Sequence, residues 1–507
     1  MLDGELRILI AYLLFLLVLS VLPLFDSRTY CFGFESDEAE HLLTAREISN
    51  GKVLYDTILA HKLPVLYLAL VPIVKTCGSG ILCTRMFSVA INFLIAIIVF
   101  LTCKKYLSGF AKYIPAIIYL VYSYASMNIF FRAEFIASLL WAFAFYFLVS
   151  LQKTNFKRNL ALTGFFLIAS SFTKPTAAFG LSLPVLYLLW HERRKREFIF
   201  FFGLGMAFAA VVFGGFFLFG TKWTGYLTAG HDLGFDAYFR MLLSERHIQD
   251  VIISIGFCFV LFFPMIIGLA NKNLIKSRFG ALSFLFFLSV LFIILLKLYS
   301  VWIYPLVMYS LILPFSFLIG IVSDSFRGIR RLKGVLLILL AIMIFAVAFS
   351  VILAWSSYSD YVGKKLALST SGCSGIGAIV ERIRWVMKEE SKFFVFPTGA
   401  EYYLMLNKSP LVRALYYYIQ IPSPYYPSGP TLIDSWYSKE VFGPVMKAKP
   451  DIVVLVNESF DHTRNLDMED LEKEFPSFAQ FRKFLGENYI NESVYGSSWV
   501  VWIYKKK

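Results

Sequence analysis

Residues 84–103 read TRMFSVAINFLIAIIVFLTC and are followed at once by Lys104 and Lys105. An apolar run of this length is what a helix needs to cross the ~30 Å hydrocarbon core of a bilayer. The two lysines close the run, and such positive residues collect on the cytoplasmic side of membrane proteins. This stretch therefore predicts a transmembrane helix that ends in the cytoplasm.

The composition of the whole chain agrees with a membrane protein. Of its 507 residues, 58% are hydrophobic and only 16% are charged, and 53 are phenylalanine. A soluble protein of this size cannot bury so much apolar surface. The net charge of +14 does not indicate a nucleic-acid partner, because the basic residues lie in short clusters between apolar runs and form no basic face with interleaved aromatic side chains.

Apolar runs of similar length recur along the chain and predict about eleven transmembrane helices. They lie near residues 8–25, 84–103, 111–128, 134–151, 159–173, 176–190, 198–220, 250–270, 279–296, 300–322 and 334–355. The first run lacks a cleavage site of small residues, which favours an uncleaved first span over a removed signal peptide.

The basic clusters follow every second predicted span. They lie at 104–105, 153–158, 191–197, 271–278 and 324–333. This alternation places the N-terminus in the cytoplasm and the residues after the last span on the opposite, periplasmic or extracellular side. We therefore predict a multi-pass protein of the cell (inner) membrane.

The composition changes after the last predicted span and divides the chain into two domains. Residues 1–355 form the transmembrane domain, and residues 356–507 are predicted to be a small α/β domain outside the membrane. Its strands are expected at 393–396, 452–456 and 500–504, where short apolar runs occur, and its helices near 377–388 and 467–485.

Two outer loops are long enough to carry function, namely residues 26–83 and 221–249. Residues 63–77 of the first loop are apolar but contain Pro64 and Pro72, and the run is short for a span. It predicts a helix lying at the outer interface or a re-entrant segment.

The first outer loop opens with an acidic stretch, FESDEAEH at residues 34–41. One interpretation is a solvated loop that caps a helix, with Asp37 as the N-cap and Glu40 favourable to the helix dipole. The other is catalytic: a carboxylate at the membrane surface accepts the proton of an acceptor hydroxyl, and a nearby lysine neutralises a phosphate leaving group.

Residues 37–51 (DEAEHLLTAREISNG), followed by Tyr55-Asp56 and His61-Lys62-Leu63-Pro64, resemble the first outer loop of GT-C glycosyltransferases. The most similar group contains the protein O-mannosyltransferases and the bacterial transferases that add aminoarabinose to lipid A. The resemblance implies a polyprenyl-phosphate-linked sugar donor and transfer with inversion on the outer face. It implies that Asp37 is the base, with Glu38 beside it, and that Lys62 contacts the lipid phosphate.

Charged residues at the outer ends of predicted spans extend this candidate site. Arg132, Lys174 and Lys297 are expected to join Lys62 at the donor phosphate, because charges at such depth are costly unless they are functional or paired. The alternative is that they extend to the lipid headgroups. The remaining site candidates are Glu40, Asp56, Glu134 and Tyr299.

A divalent metal ion is left open as a cofactor. His61, His231 and His247 have the imidazole chemistry that suits such an ion, but their spacing is scattered and equally fits ordinary polar surface residues. Four cysteines, Cys31, Cys77, Cys83 and Cys373, fall on the outer side, where one disulfide could form.

The sequence thus favours an inverting glycosyltransferase acting on the non-cytoplasmic face. Its partners are a polyprenyl-phosphate-linked sugar donor, membrane lipid, and a glycan, lipid or protein acceptor. The alternative is a multi-span lipid or solute transporter or flippase, which requires charges at mid-depth and repeated halves. Neither feature is visible in the sequence.

Overall fold

The structure is a computed structural model of the full chain. It describes residues 4–25, 36–54, 56–58, 60, 64–78, 80–125, 133–220, 277–295, 313–321, 375–396, 400–412, 434, 437–456, 472, 476–491, 494–495 and 500–507. The predicted spans near 250–270 and 334–355 and the outer loop 221–249 lie outside these residues.

Helices dominate the N-terminal part. Those described are α1 Gly4–Val21, α2 Ser36–Ser49, α3 Pro64–Cys77, α4 Ile81–Lys104, α5 Ile114–Ala125, α6 Ala133–Val149, α7 Phe156–Ser171, α8 Ser182–His191, α9 Lys195–Gly220, α10 Arg278–Leu295 and α11, residues 313–321. Every predicted span that the structure describes is at least partly helical. Among the described residues, Leu82–Lys104 and Lys195–Phe213 are long and apolar enough to cross a membrane.

The span predicted at 176–190 is helical and consists of two parts. Pro175–Leu181 forms a 3-10 helix that leads into α8. The indole of Trp141 donates a 2.8 Å hydrogen bond to the carbonyl of Ala177, and a Cβ atom on Gly180 would overlap the same indole. The tighter 3-10 winding brings this segment against α6, and only glycine fits at the contact.

Small residues bring α7 and α9 into close contact. A Cβ atom on Gly164 would overlap the carbonyl of Phe202, and one on Gly205 would overlap the carbonyl of Ala161. Close approach of backbones at small residues is the usual way in which membrane helices pack, since lipid offers no hydrophobic drive for association.

The first outer loop contains two helices, α2 and α3. The last turn of α2 is closed by hydrogen bonds of 3.0 Å from Lys52 N–H to the carbonyl of Glu47 and from Gly51 N–H to the carbonyl of Ile48. Gly51 has φ +91°, the left-handed conformation that this helix ending requires. The helix predicted at 63–77 is present as α3, and a disulfide joins its last residue, Cys77, to Cys83 in the first turn of α4.

The C-terminal part is built around a small mixed sheet. Its strands are β1 Phe393–Phe396, β2 Ile452–Val456, β3 Tyr489–Asn491, β4 Val494–Tyr495 and β5 Val500–Lys506, and its described helices are α12 Gly375–Val386, α13 Ala400–Met405, α14 Gly443–Ala448 and α15 Pro476–Asn488. β1 and β2 are parallel, β2 and β5 are antiparallel, and β3 and β4 both pair with the other edge of β5. The three predicted strands are therefore confirmed.

Both faces of this sheet are covered. One face packs against α15, through the buried side chains of Phe394, Phe396, Val453, Leu455, Phe478 and Phe481. The other face belongs to the large hydrophobic cluster that continues through α2 into the membrane helices, and it contributes Phe393, Val395, Ile452, Val454 and Ile503. The α/β unit is thus packed onto the rest of the chain through its inner face.

Candidate active site

Helix α2, which carries the acidic stretch, is enclosed by protein. The side chains of Glu38, Glu40, His41 and Glu47 are all buried. The interpretation of a solvated acidic loop is therefore wrong for these residues. Asp37 is the second residue of the helix and lies one turn before Glu40 and His41; its side chain lies outside the described part of the structure.

The beginning of α2 is held by an ion pair with the membrane helices. The guanidinium of Arg85, in the first turns of α4, donates to the carboxylate of Glu38, and both side chains are 0% exposed. A buried charge is tolerated when an opposite charge accompanies it, whereas removal of one partner leaves an uncompensated charge. Glu38 and Arg85 therefore fix the first turn of α2 against α4.

A second buried polar cluster surrounds Glu40. The hydroxyl of Tyr67, on α3, donates a 3.1 Å hydrogen bond to Glu40 Oε1, and the hydroxyl of Thr44 lies 3.4 Å from the same oxygen. His41 Nε2 lies 3.4 Å from Glu40 Oε2. Glu40 thus joins α2 to the first turn of α3.

The end of α2 is bound to the C-terminal part. Arg46 donates to the carbonyls of Tyr403, at 3.4 Å, and Lys408, and to Asn407 Oδ1 at 3.5 Å. Glu47 accepts a 3.1 Å hydrogen bond from the hydroxyl of Ser409. Burial lowers the pKa of the Arg46 guanidinium, and the charge of the neighbouring Glu47 acts in the opposite direction.

The first turn of α3 also reaches the turn that contains Lys174. The backbone N–H of Val65 donates a 3.2 Å hydrogen bond to the carbonyl of Phe172, at the end of α7. Lys174, two residues later, is half-buried, and its carbonyl accepts a 2.8 Å hydrogen bond from Ala177 N–H. Residues 64–67, which follow Lys62 in sequence, and residues 172–174, which include Lys174, are therefore in direct contact.

The other predicted site residues are described only in part. Asp56 is half-buried in the turn after α2, and Glu134 is the second residue of α6, with its side chain outside the described part. The remaining candidates lie wholly outside the described residues, and they are His61, Lys62, Arg132, His231, His247, Lys297 and Tyr299. Within the described ranges there is no group of three or more His, Cys, Asp or Glu side chains that could hold a metal ion.

Sequence reasoning missed the partners of the acidic helix. Arg85 lies within the apolar run 84–103, and the run gives no sign of its partner 47 residues away. Tyr67, Arg46 and Ser409 carry no local signal, since each acts through a contact with a distant segment. The feature common to these contacts is that all of them orient α2.

The arrangement suits chemistry at one end of a rigid helix. The acidic N-terminal turn of α2 follows α1 in sequence and is anchored by Arg85. The first turn of α3, at Val65, contacts the end of α7 at Phe172. A carboxylate held on such a helix can accept a proton in a defined direction, as general-base catalysis requires.

Solved structures resemble this chain over almost its entire length. The crystal structure of ArnT from Cupriavidus metallidurans in the apo state superimposes with a TM-score of 0.61 at 12% identity, covering 99% of this chain and 98% of that chain. The structure of the same enzyme bound to undecaprenyl phosphate gives a TM-score of 0.60 at 11% identity, covering 98% and 97%. No protein-family model and no curated protein matches the sequence.

These neighbours are glycosyltransferases of the GT-C superfamily. The chain therefore has the GT-C fold, as the resemblance of its first outer loop led us to expect. At this low identity the likeness concerns the fold alone.

Proposed function

We propose, from the GT-C fold and the enclosed acidic helix α2, that this chain is an inverting glycosyltransferase that moves a sugar from a polyprenyl-phosphate donor to an acceptor on the non-cytoplasmic face of a membrane. The observation that carries the proposal is the placement of residues 36–49. A helix rich in carboxylates is buried between the membrane helices and the C-terminal α/β unit. An ion pair joins its Glu38 to Arg85, and a hydrogen bond joins its Glu47 to Ser409. The burial of charged side chains is energetically costly, and such groups cluster at functional sites.

Two contacts support the proposed orientation in the membrane. Arg46 binds the backbone at Tyr403 and Lys408, so the first loop and the C-terminal unit lie on the same side. An even number of spans must then separate them, which agrees with the eleven spans predicted in all, the first of them before the loop. The Cys77–Cys83 disulfide favours an oxidising compartment on that side, consistent with a domain boundary near residue 355 and a non-cytoplasmic C-terminal domain.

Asp37 is the proposed base in this reaction. An acceptor hydroxyl oxygen attacks the anomeric carbon of the donor sugar, and its proton passes to the Asp37 carboxylate. The bond between the anomeric carbon and the phosphate oxygen breaks, and the electron pair leaves with the polyprenyl phosphate. Attack opposite the leaving group inverts the configuration. Glu38, paired with Arg85, has a positioning role in this scheme rather than a proton-accepting one.

Basic residues are proposed to hold the phosphate as its charge grows. Lys62 precedes Pro64, the first residue of α3, by two residues, and the first turn of α3 is hydrogen-bonded from Val65 to Phe172, two residues before Lys174. Arg132 and Lys297 complete the proposed set. Cations placed where negative charge develops stabilise the transition state more than the ground state. ArnT, in a structure of the same fold, is bound to undecaprenyl phosphate, and we assign the same class of lipid to the donor.

A transfer assay tests the proposal. Outward-facing membranes that contain the wild type or Asp37→Asn are supplied with a panel of radiolabelled polyprenyl-phosphate sugars, and label in the acceptor fraction is counted. We expect transfer with at least one donor by the wild type and a loss of at least about 100-fold in Asp37→Asn at equal expression, the lower end of the range for a general base.

Glu381→Gln is the matched control, because Glu381 forms a half-exposed pair with Arg384 far in sequence from the loop. It removes a carboxylate of the same kind and should keep wild-type transfer. Transfer that survives Asp37→Asn contradicts the role of Asp37. Label that crosses the bilayer unchanged, without reaching an acceptor, favours the transporter alternative.

A further inference from the structure

We infer that Arg46 and Glu47 are positioning residues, through which the C-terminal domain holds helix α2, and with it Asp37, in its reactive orientation. This inference rests on the proposed function, since it concerns the residue that acts as base there. It goes further by making the C-terminal domain a working part of the catalytic loop instead of an appended unit.

Arg46, a buried residue of α2, contacts the C-terminal domain through three acceptors. Its guanidinium binds two backbone carbonyls, those of Tyr403 and Lys408, and the side-chain oxygen of Asn407. All three acceptors lie at the end of α13, where Asn407 has φ +52°, a left-handed conformation that few residues adopt. Arginine is suited to this role because its planar fork offers several donors in fixed directions.

Glu47 completes the connection from the opposite side. Its Oε1 accepts from the hydroxyl of Ser409 at 3.1 Å and lies 3.3 Å from Arg46 Nη2, while its Oε2 lies 2.8 Å from Lys52 Nζ. Glu47 is buried, so these interactions are little screened by solvent. Together, Arg46 and Glu47 form what we term the α2 latch.

Polar contacts therefore hold α2 near each of its ends. The Glu38–Arg85 pair fixes the first turn against the membrane helices, and the α2 latch fixes the last turn against the C-terminal domain. The two sets of contacts are separated by about 12 Å along the helix, at ~1.5 Å per residue. A helix held at one end can tilt and rotate about that end, whereas a helix held at both cannot.

Orientation of a catalytic carboxylate is critical at this scale. A productive geometry tolerates deviations of about 10–20°, and a misplacement of 1 Å can reduce the rate about 100-fold. Without the latch, α2 is still held by the Glu38–Arg85 pair, next to Asp37. The direction in which Asp37 points should therefore change more than its position. The expected consequence is a slower chemical step with donor binding retained.

The experiment compares Arg46→Ala, Ser409→Ala and Glu381→Gln with the wild type, as full-length protein in lipid nanodiscs. Ser409→Ala removes one hydrogen bond to Glu47 and leaves all charges in place. The inference therefore stays testable if Arg46→Ala does not accumulate. The first readout is steady-state transfer, with kcat and the donor KM determined separately. The second is amide hydrogen exchange of residues 36–49 and 400–409, which requires no activity.

For Arg46→Ala we expect kcat to fall roughly 10- to 100-fold while the donor KM changes less than about twofold, and exchange of both segments to rise roughly tenfold or more. Ser409→Ala should change both readouts in the same direction by roughly fivefold. Glu381→Gln should match the wild type in kcat, in donor KM and in exchange of residues 36–49. Exchange of residues 400–409 is not compared for this variant, because Arg384, the partner of Glu381, donates a hydrogen bond to the carbonyl of Met405.

Unchanged exchange in Arg46→Ala and Ser409→Ala overturns the latch itself, whatever the activity. Faster exchange with wild-type kcat overturns the positioning role. A rise in donor KM without loss of kcat assigns the latch to donor binding and also overturns the inference. Failure of the proposed function is recognised separately, because the wild type would then transfer no sugar although its exchange pattern could still report the latch; the positioning role falls with it.

Discussion

Replacing Arg85 by methionine should destabilise the protein strongly, and replacing Glu38 as well should cost clearly less than the sum of the two single replacements. The two side chains form an ion pair between α2 and α4, and both are 0% exposed. Breaking a buried pair by removing one partner typically costs ~3–5 kcal/mol, because the other charge stays buried without compensation. Glu38→Gln removes the negative charge and keeps the shape of the side chain.

The magnitude is best measured as a double-mutant cycle over Arg85→Met, Glu38→Gln and the double variant. Each single change should lower the free energy of unfolding by ~3–5 kcal/mol, and the double variant by clearly less than the sum. The coupling energy should be about 2–3 kcal/mol, the upper part of the range for residues in direct contact. Unfolding is followed in mixed micelles as the fraction of denaturing detergent rises, with apparent Tm as a second observable.

The pair Glu381–Arg384 is the internal control for this cycle. Its side chains are 61% and 50% exposed, and exposed pairs contribute about 0–1 kcal/mol. A coupling energy for Glu38 and Arg85 no larger than that of the control pair would refute the conclusion that a buried charge pair anchors the catalytic loop.

The remaining predictions concern helix packing, the disulfide and the donor site. Gly205→Leu should lower the apparent Tm of the protein, because a side chain there overlaps the backbone of α7, whereas Gly203→Leu, with open space around its Cβ position, should not. Cys77 and Cys83 should react with a membrane-impermeant maleimide only after reduction, measured as a gel shift, and labelling before reduction would contradict the disulfide. Lys174→Met should raise the donor KM roughly tenfold by removing a charged hydrogen-bond donor, measured in the transfer assay, and an unchanged KM would remove Lys174 from the proposed phosphate site.

The helices and strands were largely predictable because their signals are local. Residues 84–103 and 198–220 are long and mostly apolar runs, and α4 and α9 cover them fully. The strands β1 and β2 coincide with the short apolar runs at 393–396 and 452–456. Runs of this kind determine their own conformation, since burial in lipid or in a sheet core is the one way to remove them from water.

The environment of α2 could not be predicted, since it depends on contacts between distant segments. The helix begins at Ser36 and therefore includes the acidic stretch. From sequence, its acidic first turn fits a solvated surface. It is buried because Arg85 of α4 neutralises Glu38, and because Arg46 is bound by residues more than 350 positions away. Sequence composition indicates that a charge is present and gives no information on what lies opposite.

The 3-10 segment before α8 illustrates the same limit on a smaller scale. Its residues are apolar and fit a helical pattern, yet Trp141 of α6 fixes the backbone at Ala177 and leaves no room for a side chain at Gly180. The local pattern determined that the segment is helical, and the neighbouring helix determined which kind of helix it is.

The most direct test of the account is the rate of sugar transfer by Asp37→Asn relative to wild type and to Glu38→Gln, in a single assay with a donor that the wild type uses. The account predicts that Asp37→Asn loses transfer by at least about 100-fold while the protein keeps its wild-type apparent Tm. Glu38→Gln should lower the apparent Tm, and its transfer rate should fall only in proportion to the loss of folded protein. A wild-type rate in Asp37→Asn, or a loss confined to Glu38→Gln, would contradict the claim that α2 presents Asp37 as the base of a lipid-linked glycosyl transfer.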